Sequence, residues 1–202
     1  IGQGQVSVTP ASMAVMISTI ANGGTRVTPH VIRAVDEGGG WKMATPPVVA
    51  ERVAFRPDTL LALHDGLWMA VNAEGTARRA RIQGRDVAGK TGTVQVISNQ
   101  GRQAARESGR DVRDHGWFVF FAPKENPQIA GVIFGEHNEH GYLAAPVARH
   151  VIETYFAKQE KRALPMLESA PAPDLTPERD PDSILFVDGS PTGDATPPTG
   201  TF

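Results

Sequence analysis

Met13, Met16, Ile17 and Ile20 recur at i, i+3, i+4 and i+7, the spacing of one face of an α-helix. Thr9-Pro10 in front of them supplies an N-cap and a first-turn proline, and Asn22-Gly23-Gly24 behind them supplies a left-handed stop. A β-prone stretch follows from Val27 to Val35, where Pro29 marks an edge or a bulge. Gly38-Gly39-Gly40 turns the chain, and Trp41-Lys42-Met43 returns as the second strand of a hairpin. Pro57 starts a second helix that runs to about Asn72, with Leu60, Leu67, Trp68 and Val71 on one side. His64 in its middle has no partner at helical spacing, so it reads as a surface or internally satisfied histidine.

Three strands come next. Val87 to Val96 is β-prone but carries a lysine and two threonines where a packing strand would carry Val or Ile. Gly116-Trp117-Phe118-Val119-Phe120-Phe121-Ala122-Pro123 is nearly all apolar, which places it at the centre of a sheet covered on both faces. Lys124-Glu125-Asn126-Pro127 turns, and Gln128 to Gly135 forms the partner strand. Ala145-Pro146 opens a last helix with an expected stripe of Val147, Val151, Ile152, Tyr155 and Phe156. Strands segregated from helices in this order predict an α+β fold, an antiparallel sheet backed by helices.

Two segments break the apolar pattern. Ser98 to Asp114 sets Arg102, Arg106, Arg110 and Arg113 against Glu107, Asp111 and Asp114, and is expected to be a mobile loop. It leaves the end of the lysine-bearing strand, so it either lies over a substrate groove or is merely solvated. From Pro165 onward, eight of 38 residues are proline, with seven acids and one base. That composition cannot offset chain entropy by burial, so 161–202 is expected to be a disordered tail after a domain of 1–160. Ile184-Leu185-Phe186-Val187 is its one apolar island, a possible partner-binding segment. The whole chain has a net charge of −2, which suggests neither a nucleic-acid partner nor a polybasic membrane patch. It has no cysteine, so thiol chemistry and disulfides are excluded.

The chemistry concentrates in Val87-Ala88-Gly89-Lys90-Thr91-Gly92-Thr93-Val94-Gln95-Val96. Side chains alternate along a strand, so Thr91 and Thr93 share one face and Lys90 points to the other. An edge of this composition offers an ammonium, two hydroxyls and backbone N–H groups to an extended, anionic guest. Arg78-Arg79, just upstream, either form a solvated face or rim an anion site.

Lys90-Thr91-Gly92-Thr93 with Val94-Gln95 resembles the third motif of the class B penicillin-binding proteins, the peptidoglycan D,D-transpeptidases, most like their elongation-type branch. Gly2-Gln3-Gly4, Gly75-Thr76-Ala77 and Gly116-Trp117-Phe118 resemble that family in the right order, over roughly Ile1 to Lys158. The resemblance implies a fold in which the last helix packs on the sheet and the catalytic serine lies upstream. It implies that Lys90 raises the local positive potential, that Thr91 and Thr93 hold a terminal carboxylate, and that the Thr93 N–H is one oxyanion donor. Gly92 and Gln95 complete the implied substrate-binding set. The implied guests are a peptidoglycan stem peptide, added as a strand to the sheet edge, and β-lactams. The implied setting is the periplasmic face of the cytoplasmic membrane, beside a cell-wall polymerase, with no cofactor.

No nucleophile of the family pattern is present: no serine is followed three residues later by lysine, and no Ser-x-Asn triplet occurs. The chain begins with Ile, and is expected to be a fragment whose parent carries both missing motifs and an anchoring helix upstream. Alone it is expected to be inactive. Glu136-His137-Asn138-Glu139-His140 is the one metal-like cluster, but two histidines three apart between Gly135 and Gly141 match no closed site, so no metal is expected. Other readings are a serine β-lactamase or D,D-carboxypeptidase relative, or a non-catalytic module that binds a peptide or a partner.

Overall fold

The apolar run becomes the middle strand of the main sheet. The computed structural model describes residues 6–43, 48–97, 101, 104–105 and 107–166, all within the first of two units, Ile1–Ser169. The expected tail lies outside the described residues beyond Met166, as does Gly2-Gln3-Gly4.

In chain order the named elements are α1 (Pro10–Ala21), β1 (Thr25–Val27), β2 (Ala34–Asp36), β3 (Trp41–Met43), β4 (Val49–Arg52) and α2 (Pro57–Asn72). Then come β5 (Ala88–Val94), β6 (His115–Ala122), β7 (Ile129–Gly135) and α3 (Ala145–Gln159). The main sheet is antiparallel, in the order β5-β6-β7, with Lys90 opposite Val119 and Thr91 opposite Phe118. The expected α+β architecture is what the chain adopts.

Alternation along β6 divides the core in two. Phe118 and Phe120 pack on one face with Ala148, Ile152 and Phe156 of α3, and with Val71 at the end of α2. Val119 and Phe121 pack on the other with Ile17 and Ala21 of α1, flanked by Leu67 and Trp68 of α2. The central strand is therefore covered on both faces, as its unbroken apolar run requires. Across the β6–β7 turn, Asp65 and then Glu125 hold Lys124 in its charged form and raise its pKa.

The helix ends follow their sequence signals. Thr9 caps α1, its Oγ1 accepting from the Ser12 N–H at 3.1 Å. Gly24 has a φ of 108°, and a Cβ there would run into the Val53 carbonyl, so only glycine fits. His64 is internally satisfied, with Nε2 3.0 Å from the Ile20 carbonyl and its ring against Phe121.

Four expectations need correction. The first hairpin is two separate pairs: β2 pairs with β3 across the glycine turn, while β1 pairs with β4. β4 is short and exposed, which leaves no apolar alternation to read. Met16 of the α1 stripe is 41% exposed. The 98–114 insert is not wholly a polar loop: Ala104 and Ala105 are helical, their carbonyls accepting from the Ser108 and Arg110 N–H groups, and Ala105 and Val112 are buried. Arg113 grips Asp111 there and holds its carboxyl well below the usual carboxylate range.

The α3 stripe is also rotated from its expected position. Ile152 and Phe156 are buried, but Val147 and Val151 are exposed, and Ala145, Ala148 and Ala157 take the inner positions. The sheet already presents two phenylalanines on this face, so small residues let the helix lie close at native packing density. Ile152→Ala should therefore cost about 3 kcal/mol. Val147→Ala should stay within about 0.5 kcal/mol. Urea unfolding of the intact protein checks both; equal losses would restore the expected stripe.

Candidate active site

Strand β5 is an edge of its sheet. Among the described residues no strand pairs with its outer side. Thr91 and Thr93 fall on the face of Phe118, and Lys90 on the face of Val119. Yet the Lys90 ammonium does not stay on its own face. Nζ donates to the Thr91 carbonyl at 3.0 Å and lies 3.3 Å from Thr91 Oγ1. Since β6 occupies the inner side, the lysine stem passes round the open edge. The Thr91 backbone faces that edge, because its carbonyl receives the ammonium there. Backbone direction alternates with period two in an antiparallel ladder, so the Thr93 N–H points to the same side.

The two threonines are held differently. Thr91 is buried, with 6% exposure, and its hydroxyl lies 2.6 Å from the hydroxyl of Thr76. It is thus less openly presented than the strand pattern suggests. Thr93 is half-buried, and its Oγ1 accepts from the Gly141 N–H at 3.1 Å. Gln95 is exposed just past the strand end. Lys90, Thr91 and Thr76 therefore form one connected polar group, and Thr93 is tied to the segment before α3. Sequence reasoning gave no role to Thr76 or Gly141. For Thr76 a signal existed, the Gly75-Thr76-Ala77 triplet; for Gly141 there was none.

The flanking arginines separate. Arg78 pairs with Glu74 at 3.1 Å, as a solvated residue would. Arg79 lies over the Tyr142 ring, 5.7 Å from its centroid, and His140 stacks on that same ring. Tyr142 follows the glycine that holds Thr93, so Arg79 leans toward the site.

Comparison with known proteins decides the family. The penicillin binding protein transpeptidase domain matches residues 1–153. The chain belongs to that family. A relative of this chain is the peptidoglycan D,D-transpeptidase MrdA of Acinetobacter baumannii, 31% identical over 166 residues, which are 81% of this chain and 25% of the relative. Among solved structures, Pseudomonas aeruginosa PBP2 superposes with a TM-score of 0.60 at 31% identity, covering 85% of this chain and 34% of that one. The imipenem acyl-enzyme complex of penicillin-binding protein A from M. tuberculosis gives 0.58 at 28% identity, covering 76% and 32%. The chain thus spans about a quarter to a third of the length of these penicillin-binding relatives.

Proposed function

We propose that residues 1–160 are the C-terminal part of the catalytic domain of a serine-type D-Ala-D-Ala transpeptidase, which cross-links peptidoglycan stem peptides and is acylated by β-lactams, and that 161–202 lie outside that domain. The observation that carries this reading is the open edge of β5, round which Lys90 brings its ammonium to the Thr91 hydroxyl. Acyl transfer needs a nucleophile, a base, donors for the oxyanion and a grip on the substrate. This chain supplies the last two in part. An extended peptide adds itself along β5, with Gly92 allowing close approach and Gln95 at the end of the groove. Its terminal carboxylate meets the Thr93 hydroxyl and the Thr91–Thr76 pair under the field of Lys90. The Thr93 N–H serves as one oxyanion donor, while the attacking oxygen comes from the missing Ser-x-x-Lys segment.

Among the described residues no helix is long and apolar enough to cross a membrane. We place the intact protein at the periplasmic face of the cytoplasmic membrane, held there by an upstream helix and working with a cell-wall polymerase. The test is labelling with a fluorescent penicillin. The intact protein should take up one covalent label that survives denaturation, and the present chain alone should take up none. An unlabelled intact protein overturns the function, and a label on this chain alone overturns the placement of the nucleophile.

A further inference from the structure

We infer that His115, Glu136 and His137 form a site for a divalent metal ion of the zinc class, independent of the transpeptidase reading. The fold re-sorts the sequence cluster. His140 turns away to stack on Tyr142, and His115 comes over from the first position of β6. One ligating atom from each of His115, Glu136 and His137 lies within 4.8 Å of the other two. A tetrahedral zinc ion sets its ligands roughly 3.3 Å apart, so closure needs shifts of about 1.5 Å at most. Glu136 is exposed, so its side chain is free to turn inward. Two imidazoles and one carboxylate, with a further position for water, suit zinc better than calcium or magnesium.

The local structure holds His137 as a ligand would be held. Its Nδ1 is 3.0 Å from the Arg113 carbonyl. A protonated Nδ1 satisfies that carbonyl and leaves the lone pair on Nε2, the tautomer that a metal needs. Its amide N–H donates to His115 Nδ1 at 3.0 Å. His137 also keeps a φ of 52°, a conformation that non-glycine residues adopt at a cost. Arg113, whose carbonyl His137 contacts, commits its guanidinium to Asp111. His115 sets the limit on affinity. Its Nδ1 lone pair is already taken by the His137 amide, so ligation must displace that hydrogen bond or strip the proton from Nε2. Binding should therefore be weaker than at a closed structural zinc site. A bound ion would brace the turn after β7, only a few residues before Gly141.

Calorimetric titration of the intact protein with zinc chloride tests this. His137→Asn, which tolerates the left-handed backbone, and Glu136→Gln should each weaken one zinc equivalent by more than about tenfold. His140→Gln should bind as the unaltered protein does. Only the difference between variants counts, so zinc held elsewhere in the protein does not enter. Equal binding by the unaltered protein, His137→Asn and Glu136→Gln overturns the site, as does a loss in His140→Gln equal to that in His137→Asn. If a variant fails to melt cooperatively without zinc, anomalous scattering from zinc-soaked crystals of the unaltered protein decides. A peak within bonding distance of His137 and Glu136 supports the site, and its absence there overturns it.

Discussion

Lys90→Ala in the intact protein should slow acylation by penicillin on the order of a thousandfold, the scale of losing one preorganised electrostatic contact in such a site. The lysine is exposed, and among the described residues its ammonium bonds to the Thr91 carbonyl and hydroxyl. It fills no core position, so the melting behaviour should shift by no more than about 0.5 kcal/mol of stability. The two readouts together separate a chemical role from a structural one. Lys90→Arg should recover little. A planar guanidinium does not replace a compact ammonium that must bend round a strand edge to reach a single hydroxyl. The second-order rate of labelling by a fluorescent penicillin measures the effect. An unchanged rate in Lys90→Ala would remove the lysine from the chemistry, and a large loss of stability would make it a structural residue.

What the sequence revealed and what it concealed follow from the range of the interactions involved. α2 is legible to the residue, because Pro57 fixes its start locally and the apolar spacing runs on to Asn72. β6 is legible because eight mostly apolar residues in a row have few places to go except a covered central strand. The Lys90–Thr93 strand is legible through its departure from packing composition. The face of α3 was not legible, because it is chosen by Phe118 and Phe120, whose bulk selects alanines over valines across the contact. The Thr76–Thr91 pair joins residues from a turn and a strand that only the fold brings together. The same holds for His115, at the start of β6, beside His137, in the turn after β7 and 22 residues further along the chain. In each case the deciding partner is distant in sequence, and periodicity carries no information about it.

The polar groups at the edge strand are placed by backbone, and this makes Gly141→Ala the sharpest test of the site. A Cβ at Gly141 would lie 2.5 Å from the Gly92 carbonyl oxygen, 2.8 Å from the Gly92 nitrogen and 2.9 Å from the Trp117 carbonyl oxygen. All three are main-chain atoms of paired strands, so none can give way as a side-chain tip would. The segment before α3 must back away from β5, and the 3.1 Å bond from its N–H to the Thr93 hydroxyl must stretch or break. Overpacking of this kind costs about 1–3 kcal/mol. The larger effect falls on chemistry, because a displacement of about 1 Å at a positioned group can cost on the order of a hundredfold in rate. Gly92→Ala is the natural comparison. Its Cβ would meet only Trp117 Cβ at 3.6 Å, an ordinary contact, so stability should hold while an incoming peptide strand is crowded. Acylation rate and urea unfolding, measured on both variants of the intact protein, separate the two effects. If Gly141→Ala loses stability but keeps its acylation rate, the Gly141–Thr93 contact packs the sheet without positioning the hydroxyl.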